Sequence, residues 1–366
     1  MSLFEPFQLG DLTLRNRVAM APMTRARANA AGVVQPMTAT YYRQRASAGL
    51  LITEGTNISA DAIGSPLTPG IFTAEQTAAW RTVTDAVHEA GGAIVMQLWH
   101  TGRVGHSLVR NGVLPVAPSA VAIAGQKHFT PEGPKDYEVP RALETAEVWA
   151  TIDDYERAAE NAKSAGFDGV ELHAAFGYLP NQFLVDGANQ RTDEFGGSVE
   201  NRARFVIEVM RRLVRVWGPS RVGIKLSPTI PYNGITDSNP LATFGYLLGQ
   251  LNELPLSYVQ LMQPLFPIDA FPAESWPRDT IEAFGPLTRA TVMANGGYDQ
   301  AKAEAVLASG KAQLVSFGAP YVANPDLVER FRAGAALAIP DRATMFGGGE
   351  HGYIDYPTGT SVSHQD

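Results

Sequence analysis

The chain has 366 residues, 45% of them hydrophobic, enough to bury a large core. A net charge of −8 excludes the dense positive surface that displaces counterions from a phosphate backbone, so a small-molecule partner is expected rather than nucleic acid. With no cysteine there is no disulfide framework, thiolate metal site or cysteine nucleophile, and a start without a cationic or apolar leader fits a soluble cytoplasmic protein that neither enters nor crosses a membrane.

Residues 9–14 read as a hairpin. Eight short apolar runs then follow, at residues 17–20, 50–54, 93–98, 169–173, 222–226, 258–262, 291–294 and 314–317. Their hydrophobicity is continuous rather than alternating, as strands buried on both faces require. Helical patterns lie between them. Residues 73–90 and 151–165 each open at a threonine and stop before a glycine, which takes a left-handed C-terminal conformation at no steric cost. Eight strands with helical crossovers predict an α/β fold, a single (β/α)8 barrel over residues 1–357 with the hairpin capping its floor. Residues 99–150 are rich in Gly, Pro and Ser and follow a strand's carboxyl end, so they are expected to form a lid without a strong helix. Residues 358–366 are small and polar and are expected to be a mobile tail. There is no internal repeat, and nothing in the sequence fixes an oligomeric state.

Such a barrel places its site at the carboxyl ends of the strands, so the residues following each run form one candidate constellation. They are Pro22 and Thr24 after the first, Gly55 after the second, Gln97 and Trp99 in and after the third, and Lys225 in the fifth. The seventh leads to Gly296 and Gly297, and the eighth to Gly318 and Ala319, where backbone N–H groups can take a phosphate. The fourth run ends in His173, with Tyr178 close behind. A ring N–H there can hydrogen-bond a substrate oxygen, and a phenol protonated at neutral pH can release a proton on demand. That pair suits addition of hydride and proton across a polarised double bond; on those two residues alone, a satisfied core contact is an equal reading. His88 and His128 lack partners at metal-ligand spacing and read as surface or structural residues, and His100 as a residue that holds a turn; no metal is predicted.

Residues 169–178 and 189–202, the latter with a Gly-Gly turn and a Ser198 cap, resemble the Old Yellow Enzyme family of flavin-dependent ene-reductases. So do Asn16-Arg17-Val18, residues 41–50, Gln97-Leu98-Trp99-His100-Thr101-Gly102-Arg103 and residues 321–327, and the likeness runs from Phe4 to Pro357. Its nearest branch comprises bacterial reductases of enones, nitroalkenes and nitrate esters. The resemblance implies non-covalent FMN, NADH or NADPH as hydride donor, and a small electrophilic alkene as substrate. It implies that Thr24 and Gln97 hydrogen-bond the flavin's pyrimidine edge, that Gly55 lines its ring, and that Lys225 places positive charge beside N1 and O2. Hydride would pass from flavin N5 to the alkene while His173 holds the substrate oxygen and Tyr178 protonates the opposite face. Trp99 and Tyr353 match aromatics of the pocket wall.

Four positions depart from the family pattern. Phe176 stands where relatives carry a second hydrogen-bonding residue, and Ser65 where a tyrosine often faces the substrate. Lys225 replaces an arginine, keeping charge without a planar fork. Ala319 replaces the arginine that grips the FMN phosphate, and weaker flavin retention is expected. An alternative therefore stands beside the reductase: a relative with altered cofactor binding that catalyses isomerisation or desaturation, or binds flavin without turnover.

Overall fold

The computed structural model describes residues 1–359. Eight parallel strands close on themselves: β1 (Val18–Met20), β2 (Leu50–Ile52), β3 (Ile94–Trp99), β4 (Gly169–Ala174), β5 (Val222–Leu226), β6 (Tyr258–Met262), β7 (Thr291–Asn295) and β8 (Leu314–Phe317). Neighbours in sequence are neighbours in the sheet, β8 pairs back onto β1, and β3 pairs with β4, which completes a (β/α)8 barrel. Nearly every strand residue is buried, since helices cover the outside and side chains fill the inside.

The helices that matter here are α1 (Pro36–Arg43), α2 (Ala74–Glu89), α3 (Thr145–Ser164), α4 (Leu179–Leu184), α5 (Val199–Trp217), α6 (Pro240–Leu251), α7 (Thr280–Phe284), α8 (Gln300–Ala308), α9 (Ala319–Ala323) and α10 (Leu327–Ala333). Thr73 and Gln76 cap α2 reciprocally, and Ser198 accepts from the Asn201 N–H at the head of α5. The start expected at Thr151 is wrong: α3 begins at Thr145, where the Glu147 carboxylate accepts from the Glu144 N–H at 2.8 Å. Thr151 lies mid-helix, its hydroxyl donating back to the Glu147 carbonyl.

Phe7–Leu9 and Leu12–Leu14 form the expected antiparallel hairpin, and its Leu9 and Leu14 pack with Ile52, Tyr258 and Met293 in the barrel floor. Residues 99–150 hold more order than their composition promised. Lys127–Thr130 pairs with Gly133–Asp136 as a hairpin, and Val116–Ala117 pairs with Arg141–Ala142. His128 is structural, as expected: its Nε2 donates to the Gly64 carbonyl at 2.7 Å and ties the hairpin to the loop after β2. His88 is a surface residue beside Asp168. Of the proposed tail, residues 360–366 lie outside the described residues; the Gly359 N–H donates to the Asp326 carboxylate. Among the described residues, no helix is long and apolar enough to cross a membrane, and no cluster of His, Asp and Glu could hold a metal.

Candidate active site

The strand ends converge on a cavity of about 350 Å³ at the carboxyl mouth of the barrel. Pro22, Met23 and Thr24 line it after β1, Gly55 after β2, Gln97 and Trp99 from β3, His173 from β4, Lys225 from β5, and Ala319 and Val322 from α9. His173 and Lys225 are register partners on adjacent strands, as are Glu171 and Gln97. Because side chains alternate along a strand, Glu171 and His173 share the inward face of β4, one layer apart.

The turn after β4 is set by its backbone. Phe176 has φ of 57° and Gly177 φ of 76°, both left-handed, and Asn181 Oδ1 accepts from the Gly177 N–H at 2.9 Å. Ser227 Oγ accepts from the Phe176 N–H at 2.9 Å, and Asn233 Nδ2 donates to the Phe176 carbonyl at 2.8 Å. This reversal turns Tyr178 back over β4, its ring 4.8 Å from His173 and 5.0 Å from Trp99, edge to face with both. His100 holds the neighbouring turn through Nδ1, which accepts from the Gly102 N–H; burial pushes its pKa down to about 3.

Burial drives the His173 pKa well below the usual histidine range and raises that of the Tyr178 phenol, so the imidazole is neutral and the phenol keeps its proton. His173 Nδ1 is enclosed without a partner, which leaves Nε2 at the cavity. Burial pulls the Lys225 ammonium down to about 8 against the raising influence of Glu171. Lys225 forms no hydrogen bond or ion pair among the described residues; its Nζ lies 5.6 Å over the Phe176 ring.

A second chamber of about 620 Å³ adjoins the first, sharing Thr24, Trp99, Tyr178, Tyr232 and Phe346 with it. Its remaining wall includes Ser65, Leu67, His128, Phe129 and Tyr137. Phe129 and Phe346 are 71% and 66% exposed, so this chamber opens to solvent. Tyr232 extends the aromatic surface, edge-on to Phe176 and stacked on Phe266 at 5.3 Å.

One expectation needs correction. Tyr353 is absent from the wall: it is fully buried and stacks on Tyr41 at 4.1 Å. The cavity instead receives Met345 and Phe346, seven or eight positions earlier. That placement follows from Arg25, which donates to the carbonyls of Met345 at 3.0 Å and Gly352 at 2.7 Å, and from Arg27, which donates to Thr344 and Gly349. Of the loops after β7 and β8, Ala319 lines the cavity, and a Cβ at Gly318 would meet the sulfur of Met23, another lining residue, at 3.6 Å. The sequence reading missed Tyr137, Tyr232 and Phe346.

The residues present fit a flavin. Gly55 leaves a flat wall, since a Cβ there would fall 2.8 Å from the Trp99 ring. Thr24, Gln97 and Lys225 bring a hydroxyl, an amide and a cation to the wall of the inner chamber, the groups that suit the imide edge of an isoalloxazine with its alternating carbonyls and N–H. A parallel barrel with that edge-matching set beneath a His–Tyr pair defines a flavin-dependent oxidoreductase.

Residues 2–338 match the NADH:flavin oxidoreductase / NADH oxidase family, and the chain belongs to it. It is 43% identical over 360 residues to 12-oxophytodienoate reductase 1 of Oryza sativa subsp. japonica, spanning 97% of this chain and 92% of that protein. It is 41% identical over 360 residues to a probable flavin mononucleotide-dependent alkene reductase of Leishmania infantum, spanning 97% of each. A structure of morphinone reductase in complex with tetrahydroNAD matches with a TM-score of 0.91 at 47% identity, over 98% of both chains. The protein is thus an NAD(P)H-dependent FMN oxidoreductase of the Old Yellow Enzyme kind.

Proposed function

We propose that the protein reduces an activated alkene that carries one hydrogen-bonding oxygen and an apolar body, with His173 and Tyr178 as its catalytic residues. The observation that carries this reading is the His173–Tyr178–Trp99 cluster, which lines the same chamber as Gln97 and Lys225 and leaves His173 Nε2 and the Tyr178 phenol without a partner among the described residues. Thr24, Gln97 and Lys225 would hold the flavin's imide edge and Gly55 its ring, while Pro22 lines the same wall. Backbone around Gly296, Gly297 and Gly318 would meet its phosphate without help from a side chain at Ala319. Bound FMN supplies hydride transfer, taking hydride from a nicotinamide and giving it to the alkene.

His173 is neutral and can donate one hydrogen bond to the substrate oxygen, drawing charge from the double bond. Phe176 cannot add a second. Tyr178 keeps its proton until carbanion character develops at the α carbon, then delivers it. A ring held in the inner chamber leaves the outer one for the substrate's body, and Phe129, Tyr232 and Phe346 there favour aryl or polycyclic groups. The wall retains the groups that reduction asks for, and no observation favours the isomerase or flavin-binder alternative. Zero cysteine and net charge −8 support a cytoplasmic setting without nucleic-acid partners.

The test is anaerobic. NADPH or NADH should bleach the flavin of the holoenzyme, and an aryl enone should restore its colour faster than 2-cyclohexenone does. A flavin bleached by nicotinamide but restored by no alkene would overturn the reading.

A further inference from the structure

Glu171 lies inside the barrel, fully buried, two residues before His173 on β4. Its carboxylate accepts from Gln97 Nε2 on β3 at 2.8 Å and from Gln260 Nε2 on β6 at 2.6 Å. Gln260 Oε1 accepts in turn from Ser316 Oγ on β8 at 2.9 Å, and Ser316 Oγ accepts from Asn295 Nδ2 on β7 at 2.8 Å. The Tyr258 phenol approaches Glu171 without completing a hydrogen bond. One carboxylate therefore organises a polar chain across five strands directly beneath the site.

An ionised carboxylate offers only acceptors, so both amides must turn their NH2 groups toward it. For Gln97 this leaves Oε1 with no partner among the described residues, facing the inner chamber. A buried carboxylate also demands a compensating cation. Lys225 answers it from the neighbouring strand β5, in register with His173: burial raises the Glu171 pKa and the lysine charge opposes that rise without a contact pair.

We propose that Glu171 is a positioning residue of the flavin site: it orients the Gln97 amide so that an acceptor faces the flavin's pyrimidine edge, and it is the buried counter-charge of the Lys225 ammonium. The inference rests on the reading of Gln97 and Lys225 as flavin contacts. Around Lys225 the titratable groups are Glu171 and the neutral His173 on β4 and Tyr258 on β6, while Gln97, Gln260, Asn295 and Ser316 carry no charge. Across the chamber stand the phenols of Tyr178 and Tyr232, and Arg25, whose guanidinium is committed to backbone carbonyls.

The experiment is equilibrium dialysis of purified holoenzyme against graded FMN over a pH range that brackets 8. Wild-type affinity should fall as pH rises through about 8, because the lysine loses its proton there. Glu171→Gln removes the attraction that holds that proton, so the midpoint should move down by about one unit, and affinity should drop about twofold at neutral pH and about tenfold one unit above the wild-type midpoint. Glu171→Asp keeps the charge but withdraws from Gln97, so it should keep the midpoint and lose about threefold to fivefold in affinity. In a Gln97→Met background that second loss should vanish, since the amide it acts through is gone. An unmoved midpoint in Glu171→Gln, or an undiminished loss for Glu171→Asp in the Gln97→Met background, overturns the proposal. The Asp and Met variants decide it if Glu171→Gln fails to fold. FMN affinity untouched by both Gln97→Met and Lys225→Met would overturn the contact reading and this inference together.

Discussion

Two clusters of buried charge flank the mouth of the barrel, and they differ in what they leave unused. Behind the cavity, Arg25, Arg27 and Arg45 surround the stacked rings of Tyr41 and Tyr353, with Arg45 lying 3.8 Å over Tyr41 and Arg27 4.5 Å over Tyr353. Their donors are spent on backbone: Arg45 reaches the carbonyls of Tyr41, Tyr321 and Val322, and Arg25 and Arg27 reach the segment from Thr344 to Gly352. Glu54 is spent likewise, accepting from the N–H groups of Arg25 and Ala26. On the other side, Lys225, His173 and Gln97 are buried and Tyr178 half-buried, and the side chains of Lys225, His173 and Tyr178, with Gln97 Oε1, form no hydrogen bond among the described residues. Desolvation taxes both groups. In the first cluster, hydrogen bonds and aromatic faces offset the cost; in the second no protein hydrogen bond does. The groups bonded to backbone hold the scaffold, and those without protein partners are the ones proposed above to act.

The largest test of that distinction is Tyr178→Phe. Alkene reduction should slow by about 10²–10⁴-fold, while flavin reduction by nicotinamide stays nearly unchanged, because general acid help is needed only in the alkene half-reaction. Stopped-flow measurement of the two half-reactions reads both, and equal slowing of both would make Tyr178 scaffold after all.

Next comes Arg25→Met, which strands the carbonyls of Met345 and Gly352. A loss of about 3 kcal/mol is expected in denaturant unfolding, since each buried orphan costs about 1–3 kcal/mol. Retained stability with a normal pocket would dissolve the contrast.

Ala319→Arg should instead sharpen it by restoring a charged phosphate contact. Position 319 is exposed, so the longer side chain has room. A gain of about 1.5–3 kcal/mol, tenfold or more in FMN affinity, is expected by titration, and no gain would move the phosphate elsewhere.

Smallest is Phe176→Asn, which should tighten simple cyclic enones by about 0.5–1.5 kcal/mol through a second hydrogen bond. Asparagine also tolerates the left-handed φ of 57° better than phenylalanine does, so the variant should fold at least as stably. Weaker enone binding would assign Phe176 to a pocket shaped for another ligand.

The barrel was legible because its signal is local. Residues 222–226, 258–262 and 314–317 coincide with β5, β6 and β8, each a buried apolar run that needs no tertiary information to be found. The α3 boundary was missed because Thr151 imitates a cap while Glu147, four residues earlier, performs one. The lid hairpin did leave a trace in Glu132-Gly133, where Gly133 takes φ of 90° at the turn. Gathering Gln97, His173, Tyr178 and Lys225 at one mouth followed from the strand-end rule. Choosing between Phe346 and Tyr353 did not, because a run of three glycines separates them and the choice is made by arginines more than 300 positions upstream. The aromatic outer chamber was hidden for the same reason, being assembled from loops that sequence alone does not juxtapose.

The grip of Arg25 on the segment from Met345 to Gly352 has a consequence in the order of synthesis. A chain leaving the ribosome holds all eight strands once residue 317 has emerged, and its sheet can then close. The wall that Met345 and Phe346 give the cavity must wait for residues 345–352 to come back and be clasped by Arg25, made more than 300 positions earlier. Completion of the cavity thus comes after closure of the barrel, and a messenger truncated just past β8 would yield a barrel with one side of that cavity unbuilt.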